Sequence, residues 1–265
     1  MIDIKKYFEY LGILGICLLS FYYTEKVALF VKNKSPIMTQ INSKKEEMYV
    51  NFVDSQIIDD LYIIPGMNGR EVNINRTYSN MQEERVFNEK NIIFDQIKPE
   101  VSLEDNKDKI IIRGNELKNS VSLLFESNGE LAKYMHQNNY VVDLLISREE
   151  YDFNYELINH AKSRDTYMNI DKYLSKAKRN KNLCVTFNDE IPEICEGKYV
   201  VKPTLTITHA NLSSEKSKIA SGEIIVIKDS LTLAELNIVL NQIKYHDLKV
   251  VALSELIQET YNKEE

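Results

Sequence analysis

The sequence predicts an α/β protein whose C-terminal half carries a parallel sheet, open or closed into a barrel, behind an apolar N-terminal helix. Three observations predict it. From Asn119 onward, extended and helical patterns alternate, and repeated strand–helix units put successive strands in parallel. "EIIVIK" (Glu223–Lys228) has no polar alternation along its apolar run, as in a strand covered on both faces. "FEYLGILGICLLSFYY" (Phe8–Tyr23) is nearly free of charge. The chain of 265 residues, 43% hydrophobic and 28% charged, is long enough to bury a full core and has ordinary globular composition. A net charge of −7 without a basic, aromatic-interleaved stripe argues against a nucleic-acid partner.

Residues 1–31 read as a membrane anchor. As a helix, Phe8–Tyr23 spans about 24 Å at about 1.5 Å per residue, short of a hydrocarbon core of about 30 Å. "VALFV" (Val27–Val31) extends it, with the Lys26 stem snorkelling to the interface. Lys5 and Lys6 precede the run, and no small-x-small cleavage pattern follows it, so a retained signal anchor is expected. The expected orientation has a cytoplasmic N-terminus and the bulk of the chain outside, although Lys26, Lys32 and Lys34 weaken the charge asymmetry.

Residues 32–115 have short apolar runs between polar turns and read as a small membrane-proximal β-rich segment. In "DLYIIPGMNGREVNI" (Asp60–Ile74), strand-like runs flank Pro65, Gly66, Asn68 and Gly69. Asn-Gly suits left-handed turn positions, so a hairpin or tight loop is expected. "NIIFDQIKPEVSL" and "KIIIRG" add extended segments, and Gly114 marks a boundary.

Residues 116–265 then follow in order. "SVSLLFE" (Ser120–Glu126) is a buried strand, "GELAKYMHQN" a helix and "YVVDLLI" (Tyr140–Ile146) a strand. "YELINHAK" and "NIDKYLSKAKR" read as helical. "NLCVTF" is a strand, "DEIPEICEG" a short helix ending at Gly197, and "YVVKPTLTI" a strand. After "EIIVIK", Thr232 and Glu235 have the spacing of a capping box. Leu236, Val239, Leu240 and Ile243 share one face of the helix that follows. "KVVAL" is a strand, and Ser254 is placed to cap the last helix.

This order of elements, and the ending "GEIIVIKDS…LNIVLNQIKYHDLKVVALSELI", resemble polysaccharide deacetylases of the NodB-homology type. The resemblance covers roughly residues 116–260 and implies a distorted (β/α) barrel. "IIPGMNGREV" is similar to the membrane-proximal stalk ahead of divergent deacetylase-like domains. The family would supply an Asp–His–His metal site, a second Asp as base and a His as acid. Where its Thr-Phe-Asp-Asp-Gly motif falls, this chain reads "LLFESNGE", with Glu126 and Ser127 replacing the aspartates. Ser127 is a poor substitute for an ionised metal ligand. Its pair of histidines falls on "INHAKSRDTYMNI", with His160 and then Arg164 four residues on. Its Arg-Pro-Pro-Tyr motif falls on "LCVTFNDEI", and its Leu-x-His becomes Val226-Ile227-Lys228. "VTFNDEIP" (Val185–Pro192) imitates the first motif, but too little chain follows it for a barrel.

The resemblance therefore implies a membrane-anchored, catalytically inactive relative that binds peptidoglycan, another envelope glycan or a membrane wall-synthesis protein. It needs no cofactor and has no metal site. Two alternatives stand beside it. One is an active carbohydrate N-deacetylase with a rearranged site built from Glu126, Asp165 and Lys228; the other is a structural membrane-linked scaffold. Mixed carboxylate and amine groups move protons when burial tunes them.

The remaining polar residues carry less. His136, His160, His209 and His246 are scattered without HxH or HxxxH spacing and read as surface or hydrogen-bonded residues. Glu149–Glu150 and Asp189–Glu190 read as solvated faces, because adjacent residues on a helix diverge. No nucleotide-binding glycine loop or GxSxG elbow occurs. Cys17 lies in the apolar run, and the chain lacks zinc-type cysteine spacing. Cys184 reads as a core residue, and a Cys184–Cys195 bond outside the cell is left open.

Overall fold

The computed structural model describes residues 4–126, 129–141, 143–145, 156–160 and 179–260, with the backbone alone for 4–9, 156–160, 179–181 and 194. The helices, in chain order, are α1 (Ile4–Lys34), α2 (Pro36–Lys44), α3 (Ile74–Gln82), α4 (Glu130–Gln137), α5 (Leu212–Glu215), α6 (Leu233–Tyr245) and α7 (Leu253–Ile257). The first strands are β1 (Gln56–Ile58), β2 (Tyr62–Ile64), β3 (Gly69–Val72), β4 (Phe94–Ile97), β5 (Ile110–Ile111) and β6 (Ser120–Phe125). The later strands are β7 (Asp143–Leu145), β8 (Glu156–His160), β9 (Arg179–Val185), β10 (Tyr199–Val201), β11 (Leu205–Ile207), β12 (Ile224–Ile227) and β13 (Lys249–Val250).

The chain divides into two units, one of Met1–Asn51 with Gly69–Ile97 and the other of Phe52–Asn68 with Lys98–Glu265. This division differs from the boundaries at 31 and 115 read from the sequence. In the first unit, α1 contains a segment, Tyr10–Lys34, long and apolar enough to cross a membrane. α2 begins where the Ser35 hydroxyl accepts the Met38 N–H, with Pro36 opening the helix. Asn73 caps α3 in the same way, accepting the Arg76 N–H. Ile41, Val72, Met81 and Ile92 close a small core against Tyr78, Phe87 and Phe94.

The expected hairpin across Pro65–Gly69 does not form: β2 pairs with β1 and β5, whereas β3 pairs with β4. Asn68 and Gly69 are not among the residues in left-handed backbone. Gly66 is there for a close approach instead, since a Cβ would lie 2.1 Å from the Val53 carbonyl oxygen.

The second unit is built on one sheet of order β1-β2-β5-β10-β9-β8-β7-β6-β12-β11, with β13 also on β6. β1 and β2 are antiparallel; the other neighbours run parallel. The side-chain period of a strand sorts its residues into two layers. Val121, Leu123, Phe125, Ile225 and Ile227 pack with Met135, Leu236, Val239 and Ile243 beneath α4 and α6. The alternate residues Leu124, Ile224 and Val226 pack with Ile63, Ile111, Val185 and Val201. Strands from both ends of the path thus share one interior, which gives the sheet its distorted (β/α)-barrel form.

The curl is completed at a seam. Gly114 N–H donates to the Gly222 carbonyl at 2.8 Å, and Arg113 reaches Glu223 and the Ser221 carbonyl. Gly222 has φ +85°, and a Cβ on it would lie 2.4 Å from the Gly114 oxygen. Gly114, read as a boundary, is therefore one side of the closure.

Three local expectations are corrected by tertiary contacts. "YELINHAK" contains strand β8 rather than a helix, because β7 and β9 take up its backbone groups on either side. "YVVKPTLTI" is two strands, β10 and β11, that break at Lys202–Thr204 and join opposite sides of the sheet. Ser254 lies inside α7, and the Leu253 N–H is instead accepted at 2.8 Å by the buried Asp143 carboxylate, which also takes the Ser122 hydroxyl at 2.7 Å. The Thr232–Glu235 capping box forms as expected. "NIDKYLSKAKR" lies outside the described residues apart from Arg179.

Candidate functional site

Strand register and parity build the site. β6 and β12 are adjacent and parallel, with Phe125 opposite Ile227. The next residues are Glu126 and Lys228, and both continue the interior-facing series of Leu124 and Val226. They meet at the C-terminal rim of the sheet. Lys228 Nζ donates to Glu126 Oε1 at 2.5 Å, with the two side chains 34% and 24% exposed. The backbone beneath Lys228 is held at both ends: its N–H donates to Ile207 O, and its carbonyl accepts the Leu231 N–H. Phe187, past the end of β9, places its ring 6.0 Å from the Lys228 ammonium, within cation–π reach.

This arrangement brings together two of the three residues named for a rearranged site, Glu126 and Lys228. Asp165, the third, and Ser127 lie outside the described residues, and of His160 only the backbone, opposite Val185, is described. Among the described residues, the donor chemistry of the Glu126–Lys228 pair does not fit a divalent metal. The Glu126 carboxylate is bonded to an ammonium, which repels a dication. Among the described residues no group of three His, Cys, Asp or Glu gathers. What the pair offers is a neutral, polar donor–acceptor unit beside an aromatic ring.

A second cluster sits on the outer side of the same rim. Asp189 accepts hydrogen bonds from Lys202, just past β10, and from the Tyr62 hydroxyl on β2. These bonds hold the Asp189 carboxyl below its usual range, Lys202 contributing most, and they raise both Lys202 and Tyr62. Asp189 is 62% exposed, as a solvated face would be, but its partners lie far off in the chain, and nothing local announces them. Asp189 stands on the loop between β9 and β10, whose ends are joined by a disulfide between Cys184 and Cys195, both fully buried.

Past β11, His209 Nδ1 lies 2.6 Å from Glu235 Oε1. The Thr232 N–H lowers the Glu235 pKa most, with the Thr232 hydroxyl and His209 adding to it. His209 is 69% exposed and is the hydrogen-bonded surface residue the sequence suggested. A separate cleft of about 170 Å³, lined by Asp54, Gln56, Pro65, Arg113, Asn115 and Glu116, opens beside the seam rather than at the Glu126–Lys228 pair.

No family model matches the sequence. Over 92 residues it is 34% identical to the uncharacterized protein YlxY of Bacillus subtilis (strain 168), a match that takes in 35% of this chain and 29% of that protein. Among solved structures it is similar to BA3943, a CE4 family pseudoenzyme from Bacillus anthracis, at 17% identity and a TM-score of 0.57, over 84% of this chain and 95% of that one. A BA3943 mutant with restored enzymatic activity aligns at 18% identity and a TM-score of 0.58, over 84% of this chain and 98% of the other. At such identities the likeness is one of fold, and the fold is that of CE4 polysaccharide deacetylases.

Proposed function

We propose, from this shared fold, that the chain is a membrane-anchored, deacetylase-like protein that holds an envelope glycan, peptidoglycan in the first instance, without hydrolysing it. The observation that carries the reading is the Lys228–Glu126 bond. An ammonium occupies the position where the resemblance calls for a histidine, and the neighbouring carboxylate is spent on it. Such a pair disfavours a dication and leaves polar groups and the Phe187 ring to meet an uncharged sugar. Two features support an extracytoplasmic site: the apolar α1 ahead of the domain, and a disulfide, which persists in oxidising compartments.

The test uses the full chain in detergent micelles with insoluble peptidoglycan. The chain should co-sediment, Lys228→Met should weaken the binding, and neither form should release acetate from peptidoglycan or N-acetylglucosamine oligomers. Failure to sediment, combined with capture of a membrane wall-synthesis protein, would replace the glycan with that partner.

A second reading, a rearranged-site N-deacetylase, is favoured by the meeting of Glu126 and Lys228 at the C-terminal rim of adjacent strands. It requires one bound transition metal per chain and acetate release that disappears in Glu126→Gln. Metal analysis and an acetate assay on the same preparation decide between the two.

A further inference from the structure

The disulfide lies on the outer layer of the sheet. Cys184 is the middle of the last three residues of β9, between Leu183 and Val185, which face the interior. Its own side chain packs with Cys195, Ile110 and Val200, against which Leu61, Tyr62 and Ile191 are laid. From β9 the chain passes over the rim as residues 186–194 and returns to the outer layer at Cys195. Along this crossing, Phe187 reaches the Lys228 ammonium and Asp189 bonds Lys202 and Tyr62. The Thr186 N–H still donates to Val201 O at 2.9 Å, so the first residue of the crossing is tied to the sheet. The return leg is short: the Cys195 N–H donates to Pro192 O, and the Lys198 N–H to Cys195 O. The disulfide joins the two ends of the crossing covalently, beside the β9–β10 ladder.

We propose that the Cys184–Cys195 disulfide is the clasp that holds this wall of the rim, residues 186–194, beside Lys228, so that the site takes its form only where thiols are oxidised. The bond arises by exchange with an external disulfide, from a thiol–disulfide oxidoreductase or a small-molecule disulfide. The Cys184 thiolate attacks one sulfur of the acceptor and displaces the other as a thiolate. The Cys195 thiolate then attacks Cys184 Sγ, closing the protein bond and releasing the acceptor's second thiolate. Two electrons and two protons leave the cysteine pair, and the acceptor disulfide is reduced to two thiols. Both cysteines are fully buried in the folded domain, so exchange has to precede closure of the outer layer, which fits a chain folding after its export. The consequence for binding rests on the glycan reading above; the clasp itself does not, and neither measurement of the wall needs a ligand.

The experiment uses the full chain made in a bacterial host, purified in detergent without reductant, and unfolded in the presence of iodoacetamide. Cys17 should be alkylated, with the Cys184 and Cys195 peptides recovered joined; full alkylation of both would overturn the proposal. The same chain is compared with a Cys184→Ala/Cys195→Ala variant, and with itself after oxidised or reduced glutathione is added during refolding. In the variant and in the reduced chain, amide exchange across 186–196 should speed up by roughly tenfold or more while β6 and β12 keep their protection. Labelling of Lys228 by an amine-reactive ester should rise by about threefold or more as Phe187 leaves it. Unchanged exchange at 186–196 would show that the other contacts suffice and would overturn the clasp. Loss of protection throughout the unit would also overturn it, because the bond would then hold the whole fold rather than one wall. Peptidoglycan sedimentation that fails in oxidised and reduced chains alike, with the exchange difference intact, would sink the glycan reading and leave the clasp standing.

Discussion

Arg113–Glu223 at the seam and Lys228–Glu126 at the rim are the same kind of ion pair set at opposite ends of β12. At the seam, Arg113 Nε lies 3.0 Å from Glu223, and a second guanidinium nitrogen donates to the Ser221 carbonyl. The adjacent glycines are bonded backbone to backbone, and a Cβ on either would strike the other strand or Leu256. At the rim, Lys228 and Glu126 are fixed to adjacent strands that would pair without them. The difference separates closure from presentation. A pair wedged among backbone bonds closes the curl of the sheet, whereas one that extends beyond finished strands adds little to the pairing beneath it.

The largest expected effect would come from the glycines. Gly222→Val adds a β-branched side chain at φ +85°, 2.4 Å from the Gly114 oxygen, and should cost about 3 kcal/mol or more. Urea denaturation would measure it, and a loss below about 1 kcal/mol would mean the seam does not close the sheet. Next, Asp143→Ala removes the acceptor of both the Leu253 N–H and the Ser122 hydroxyl inside the sheet. The expected loss is about 2–3 kcal/mol, with Asp143→Asn costing less because an acceptor oxygen remains.

The comparison itself is tested by Arg113→Met against Lys228→Met. The first leaves Glu223, whose side chain is only 13% exposed, without its guanidinium and with the Thr204 hydroxyl still donating to it, and should cost about 1–3 kcal/mol. The second breaks a partly exposed pair and should cost less than about 1 kcal/mol. Equal losses in thermal melts would erase the distinction.

The smallest effect is one of pH. Burial pushes Lys118, whose ammonium donates to the carbonyls of Glu255 in α7 and of Gln258 just past it, down to about 8, and the charges of Glu255 and Glu259 only partly oppose it. The unfolded chain, with Lys118 near its ordinary 10.5, then holds more protons than the folded chain between those values. Stability through this group should therefore rise as pH climbs from about 8 to about 10 and be penalised below that window. Urea midpoints at both ends of the range, in the native chain and in Lys118→Met, check this: the variant should lose that part of the slope.

The rim was legible because a strand's parity and its C-terminal end can be read along the chain. Glu126 and Lys228 follow apolar runs whose alternation decides which way they point. Asp189 and its partners Tyr62 and Lys202 were not legible, since they come from strands far apart in sequence. The same holds for Asp143, a lone carboxylate in an apolar strand that supplies the first bond of α7 across the sheet.

The sequence by itself determined the features that depend on near neighbours. These are the apolar length of α1, the Thr232–Glu235 capping box, the buried run of β12 and the buried face of α6. It also determined which residues stand at the ends of β6 and β12. Only the tertiary structure decided that Tyr62–Ile64 and Ile110–Ile111 join the main sheet, that β8 is a strand and that Gly114 meets Gly222. The physical reason is one of range. Helix caps and strand parity are set by bonds spanning a few residues, but a strand's neighbour and a sheet's closure are set by backbone groups that find partners anywhere in the chain.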